Sequence, residues 1–152
     1  MTPLTTPSLA QLINRASRAL ARDADNALKP LGLRYAQVPV LALLHEGPEL
    51  TQKELAEATG IEQPSMAQLL TRMDRDGLIH RKPNPRDARS QTIALAPGTD
   101  AQLKEAHEHL TALDNRAVAG FTTEEIDTLK HLLIRLGDNL DRRSDTVTDP
   151  AR

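Results

Sequence analysis

Apolar residues recur every three or four positions along most of this 152-residue chain, and this helical period constrains the fold more than any other feature. The first such stretch begins after Ser8, a suitable N-cap, and ends near Pro30 and Gly32. Only Tyr35 and Phe121 are aromatic, so the core has to be built from aliphatic side chains, which favours packing of helix on helix. We therefore predict a mainly α fold.

Three shorter helices are predicted in the middle of the chain. The stretch YAQVPVLALLHEGP is apolar and ends at Gly47, and TQKELAEATG begins with Thr51 and Glu54 in capping-box spacing. The stretch IEQPSMAQLLTRMDRDG carries Pro64 in its first turn and ends at Gly77. Its predicted buried stripe consists of Met66, Leu69, Leu70 and Met73. Two short capped helices joined by a tight turn indicate a helix-turn-helix.

The segment LIHRKPNPRDARSQTIAL, from Leu78 to Leu95, has the only two runs that look like paired strands. The runs are LIHR and QTIAL, and a basic loop joins them. A hairpin directly after a helix-turn-helix is a wing. The predicted fold is a winged helix-turn-helix with long N- and C-terminal dimerisation helices and one small β-hairpin wing.

The charges of the chain are segregated. The overall net charge is −2, but residues 63–93 hold six basic and three acidic residues, a net charge of +3, which leaves −5 for the remainder. A local positive patch attracts a polyanion over about one Debye length, ~8–10 Å. The alternative is that the basic loop is only a solvated polar turn.

The last third of the chain has apolar seams with spacings of three and four, which need partner helices. One seam comprises Leu103, Ala106, Leu110, Leu113 and Ala117, and the other comprises Ile126, Leu129, Leu133, Leu136 and Leu140. A homodimer formed through the terminal helices is therefore expected. The predicted organisation is dimerisation helices at 8–32 and 98–141, a winged DNA-binding domain at 34–96, and flexible tails at 1–7 and 142–152.

These motifs resemble the multiple-antibiotic-resistance regulator (MarR) family. The resemblance lies in the turn from Met73 to Leu78, the Asp87-Ala88-Arg89 sequence of the wing, and Ile93-Ala94-Leu95 followed by Gly98. It is sharp over about 50 central residues, and the order of the helices extends it over nearly the whole chain. The resemblance implies a dimeric transcription regulator, a repressor, that binds a pseudo-palindromic DNA operator and is released by a small aromatic or anionic ligand.

The resemblance also implies how the site residues act. On the recognition helix Gln68 would pair with bases, Arg72 would reach guanine or phosphate, and Ser65 would hold a phosphate. On the wing Arg89 would enter the minor groove, with Asp87 bracing its guanidinium. Further predicted DNA contacts are Arg75, Lys82 and Arg86. The effector pocket is expected to be lined by Arg15, Tyr35 and His45.

Other classes of function are less well supported by the sequence. Cysteine is absent, which excludes disulfides and thiolate metal sites, and no nucleophile elbow, phosphate-binding glycine loop or HExxH motif is present, so no enzyme and no cofactor are expected. The N-terminus has no signal-peptide pattern and no apolar run has membrane-spanning length, so a cytoplasmic protein without a membrane partner is expected.

Two alternatives of the same fold remain open. One is a metal-responsive regulator in which His45 and Glu46 meet His107, although His107 and His109 themselves point to different faces of a helix. The other is a helical adaptor whose winged domain binds protein rather than DNA.

Overall fold

The computed structural model describes residues 6–145 and has the predicted order of helices. The helices are α1 (Leu9–Leu28), α2 (Val38–Glu46), α3 (Gln52–Thr59), α4 (Gln63–Arg75), α5 (Thr99–Ala117) and α6 (Thr123–Asp145). The strands are β1 (Leu50–Thr51), β2 (Ile79–Pro83) and β3 (Gln91–Leu95). Short 3₁₀ turns occupy Lys29–Leu31 and Tyr35–Gln37. The mainly α winged helix-turn-helix prediction is confirmed.

Local capping explains several of these boundaries. The Ser8 side chain accepts a hydrogen bond from the backbone N–H of Gln11 at the start of α1, and Thr51 does the same for Glu54 at the start of α3. Helix α3 ends at Gly60, whose φ of +70° lies in the left-handed region that favours glycine. These capping residues lie at the helix ends that the sequence predicted.

The sheet differs from the prediction because it has three strands rather than two. Its order is β1-β3-β2 and both pairs are antiparallel. Leu50 lies opposite Ile93 and Thr51 opposite Thr92, so the segment just before α3 is joined to the wing. Two residues carry no detectable alternation, which is why the sequence did not indicate β1.

The chain divides into two compact units, Met1–Leu113 and Asp114–Arg152. The core of the first unit includes fully buried residues from α1, α2, α3, α4 and β3: Leu28, Val40, Leu41, Leu55, Met66, Leu70, Met73 and Ile93. On α5, Ala106 belongs to this core, while Leu103 and Leu110 pack against it. The α5 seam as far as Leu110 therefore has its partners within the same chain.

The apolar residues of α1 and α6 are less completely covered. Near the start of α1, Leu9 is 62% exposed and Leu12 is 47% exposed, whereas Leu28 at its end is buried. The described part of the second unit includes α6, on which Leu129, Leu132, Leu133, Ile134 and Leu140 are exposed. Helix α6 continues to Asp145, so residues 142–145 of the predicted tail are helical. Residues 1–5 and 146–152 of the predicted tails lie outside the described residues. No helix within residues 6–145 combines the length and apolarity needed to cross a membrane.

The packing of α4 predicts how two neighbouring substitutions differ. Leu70 is fully buried, so we expect Leu70→Ala to lower the free energy of unfolding by about 2–5 kcal/mol through lost burial and a residual cavity. The exposed Thr71 is a matched control on the same helix, and Thr71→Ala should change it by no more than about 0.5 kcal/mol. Urea unfolding at one fixed protein concentration measures both; equal effects would contradict the assigned face of α4.

Candidate nucleic-acid interface

Helix α4 presents a polar face to solvent. Ser65, Gln68 and Arg72 are all exposed and follow one another at spacings of three and four, which puts them on one side of the helix. The opposite side carries the buried Met66, Leu70 and Met73. The core therefore fixes which side chains of this helix can reach a ligand, as the sequence predicted.

The wing loop between β2 and β3 is held by side-chain hydrogen bonds to its own backbone. Asn84, which is buried, accepts the N–H of Arg86 at 2.9 Å and donates to the Ser90 hydroxyl at 2.8 Å. Asp87 Oδ1 accepts the backbone N–H of Arg89 at 2.9 Å. Such bonds stabilise tight turns. The sequence predicted that Asp87 holds the guanidinium of Arg89. In the structure Asp87 instead orients the backbone of Arg89.

Most of the basic residues in the segment 63–93 form ion pairs. The pairs are Arg75–Asp76 at 3.1 Å, Arg81–Asp74 at 3.6 Å, Arg86–Glu54 at 3.4 Å, and Lys82–Glu49. Within residues 6–145, the guanidinium groups of Arg72 and Arg89 form no ion pair. Of the predicted basic contacts, these two are the cations that no carboxylate neutralises.

Sequence reasoning missed Glu49 and Glu54 as members of this surface. Both lie outside residues 63–93, and counting them lowers the local net charge from +3 to +1. The capping box of Glu54 was recognisable, but its contact with Arg86 spans 32 residues along the chain and has no local signal. Asn84 was also missed, although Asn followed by Pro is a turn signal.

Hydrogen bonds lower the pKa of both carboxyl groups below the ordinary value of 4.5. For Glu49 the main cause is the hydrogen bond from Lys82, followed by that from Thr92. For Glu54 the main cause is the backbone N–H of Thr51, followed by the Thr51 hydroxyl, and the charge of Arg86 adds to both. Each carboxyl is therefore ionised at neutral pH.

A polar groove of about 780 Å³ separates the wing from the first residues of α3 and α4. Arg81 and Arg89 line it from the wing, and Gln52, Lys53 and Gln63 line it from the helices. The wing cation Arg89 and the N-terminal ends of both helices thus face one continuous surface. Hydrogen-bond donors and cations of this kind suit an extended anionic ligand.

The predicted effector residues are not brought together. A mainly apolar cavity of about 620 Å³ lies between α2 and α5, and His45 lines it together with Val38, Ala42, Leu103, Lys104 and Leu110. His45 Nδ1 lies 2.9 Å from Asp100 Oδ1 at this cavity. Neither Arg15 nor Tyr35 lines it; both are exposed, and the backbone N–H of Tyr35 donates to Asp25.

His45, Glu46 and His107 line this same cavity, as the metal-responsive alternative expected. In the part of the chain that the structure describes, however, no group of three or more histidine, aspartate or glutamate side chains is arranged to hold a metal ion.

Comparisons with known proteins agree with the fold just described. Residues 31–90, which include α2, both helices of the helix-turn-helix and most of the wing, match the model of the MarR family. A mutant MarR from E. coli complexed with operator DNA is similar at 26% identity and a TM-score of 0.79, over 84% of this chain and 92% of that one. The transcriptional repressor CouR, bound to a 23-mer DNA duplex, is similar at 27% identity and a TM-score of 0.78, over 86% and 92%.

The transcriptional regulator SlyA shares the fold at 20% identity, with a TM-score of 0.83 over 93% of this chain and all of that one. The matched proteins are transcription regulators, in agreement with the prediction that the chain is not an enzyme. The chain therefore resembles MarR-family transcription regulators: residues 31–90 match the family model, and most of the chain has the fold of the E. coli MarR and SlyA structures.

Proposed function

We propose that this protein is a homodimeric, sequence-specific DNA-binding repressor whose DNA affinity is lowered by a small organic ligand. The observation that carries the proposal is an exposed polar face on α4 beside the wing. Each offers one cation, Arg72 and Arg89 respectively, that forms no ion pair in the part of the chain that the structure describes. Such a regulator acts on the chromosome, so we further propose a cytoplasmic location.

The dimensions of these elements suit duplex DNA. The major groove, about 12 Å wide, admits an α-helix, and α4 would enter it with Ser65, Gln68 and Arg72 facing the base pairs and backbone. The side-chain amide of Gln68 can bond both N6 and N7 of adenine. Arg89 at the wing tip would lie in the adjacent minor groove. The DNA-bound structures of E. coli MarR and CouR support this arrangement by their similarity to the chain.

We propose a smaller contribution to DNA binding from three other basic residues, Arg75, Lys82 and Arg86. Each is engaged by a carboxylate in the free protein, so each offers less positive charge than its residue type suggests. Arg72 and Arg89 are therefore proposed to make the main ionic contacts. A helical adaptor that binds protein would need neither cation. Replacing one of them and measuring DNA affinity therefore distinguishes a DNA-binding regulator from an adaptor.

The exposed leucines of α1 and α6 support a homodimer. Apolar side chains clustered at helical spacing on a solvent-facing helix favour burial against another surface. The identical surface on a second copy supplies an equivalent apolar partner, and two-fold pairing matches the symmetry of a pseudo-palindromic operator. We propose that α1 and α6 each contribute to this interface.

The cavity between α2 and α5 supports control by a small molecule. Its lining is mostly apolar, and Lys104 and two histidines offer polar contacts beside the carboxylates of Glu46 and Asp100, which suits a small aromatic ligand with polar groups. A ligand there would weaken DNA binding only if it bound a DNA-incompatible arrangement more tightly than the compatible one.

Replacement of Arg89 and Gln68 distinguishes DNA binding from the adaptor alternative. With an operator selected from random duplex DNA, Arg89→Ala should cost about 1–3 kcal/mol per half-site and make the salt dependence shallower by roughly one unit per lost contact. Gln68→Ala should change the preferred bases and leave the salt dependence unchanged, because a neutral amide releases no counterions. Affinity measured over a salt series tests this; an Arg89→Ala protein with parental affinity and slope would leave the wing an ordinary polar turn.

The homodimer is tested by its mass in solution. Sedimentation at micromolar concentration should give about twice the chain mass of 16.7 kDa. Leu133→Asp should abolish the dimer and lower the unfolding temperature, because the apolar surface of α6 loses its cover. The matched control is Thr128→Asp, which places the same charge at an exposed polar position of α6. A monomeric parent protein would refute the proposal.

The effector cavity is tested by filling it. Ala42 is half-buried in the cavity lining, and Ala42→Trp should occupy most of the space that a ring would enter. Calorimetry with a panel of aromatic carboxylates, benzoate among them, should detect binding to the parent protein and none to the variant. Equal behaviour of the two proteins would place any effector elsewhere.

A further inference from the structure

Two acidic residues stand inside the proposed DNA-binding surface, where they reduce its attraction for DNA. We propose that Glu49 and Glu54 limit sequence-independent DNA binding by withholding Lys82 and Arg86 from phosphate, and so raise the share of affinity that depends on sequence. The inference rests on the proposed DNA-binding function and assigns its specificity partly to residues that touch no base.

Glu49 is held in place by both wing strands. One of its carboxylate oxygens accepts a hydrogen bond from Lys82 on β2, and the other accepts one from the Thr92 hydroxyl on β3 at 3.0 Å. Lys82 and Thr92 are themselves cross-strand partners. The carboxylate therefore bridges one rung of the sheet, and its position does not depend on Lys82 alone.

Glu54 is fixed by the helix that it caps. Its Oε2 accepts the backbone N–H of Thr51 at 2.8 Å and the Thr51 hydroxyl at 3.0 Å. Its Oε1 is left to receive Arg86 Nη2 at 3.4 Å. Capping of α3 thus orients the carboxylate towards the wing loop before any contact with Arg86 is made.

Both ion pairs are open to solvent, so each is weak taken alone. Their effect on DNA binding does not require them to be strong. If DNA drew Lys82 or Arg86 away, the anchored carboxylate would remain close to the phosphates and repel them. Whether the pair persists or breaks, the cation and its carboxylate together contribute no net charge, and the release of counterions from DNA follows net neutralisation of phosphates.

Arg72 and Arg89 differ from these two cations in a way that bears on specificity. Arg72 lies on the same exposed face of α4 as Gln68, and Arg89 lies at the tip of the wing. Their contacts depend on the helix and the wing entering their grooves together. Lys82 and Arg86, if free, would meet the phosphates of any sequence.

The test uses the full-length protein, a labelled duplex that lacks the selected operator, and the operator itself. Glu49→Gln and Glu54→Gln should each tighten binding to the non-operator duplex and steepen its salt dependence by about 0.9 unit per freed cation in each half-site. The ratio of operator to non-operator affinity should fall. Glutamine at position 54 can still complete the capping box, and glutamine at position 49 can still accept from Thr92, so both variants should fold.

A matched control is Glu105→Gln, which changes the net charge equally at an exposed position on α5 and should alter neither slope nor ratio by a comparable amount. The double variants Glu49→Gln/Lys82→Gln and Glu54→Gln/Arg86→Gln, which remove each cation together with its carboxylate, should leave the salt dependence unchanged. Parental slopes for both glutamate variants, or a shallower slope for either double variant, would overturn the inference while DNA binding stood. If the parent protein bound neither duplex in a salt-dependent way, the proposed function itself would fail.

Discussion

The antiparallel pairing of β1 with β3 is the interaction on which the arrangement of the candidate site depends. It joins the segment preceding α3 to β3, the second strand of the wing, which lies some forty residues later in the chain. Leu50 lies opposite the fully buried Ile93. An isolated two-stranded hairpin has marginal stability in water, whereas a sheet of three strands with one buried face can be stable. The wing therefore has a defined position relative to α3 and α4.

The same pairing determines the electrostatics of the surface. Because Thr51 lies opposite Thr92, Glu49 and Glu54 on either side of β1 come within reach of Lys82 and Arg86. The density of basic residues along the sequence overstates the field that DNA would meet. What matters for an ionic contact is the number of cations whose charge is uncompensated at that place. Among the predicted basic contacts, counting partners within residues 6–145, those cations are Arg72 and Arg89.

The long helices α5 and α6 have similar apolar patterns but differ in how far those apolar residues are buried. The seam of α5 and the stripe of α6 both have spacings of three and four, although the α5 seam includes two alanines and the α6 stripe none. On α5, Ala106 and its neighbours Leu103 and Leu110 meet the core of the first unit, whereas Leu129, Leu133 and Leu140 of α6 are exposed. A hydrophobic period specifies that a face will be covered and leaves open whether its own chain covers it.

The sequence by itself determined the elements that rest on local interactions. The capping boxes at Ser8 and Thr51, the glycine after α3 and the period of α4 depend on residues three or four positions apart, so the helices, the outward face with Ser65, Gln68 and Arg72, and the family resemblance were all accessible from it. Only the tertiary structure decided the third strand and the pairing of Lys82 and Arg86 with carboxylates. It also decided the role of Asp87 in the turn and the separation of Arg15 and Tyr35 from the cavity beside His45. The physical reason is that these contacts join residues distant in sequence, and their geometry is set by how the core packs, which no local pattern encodes.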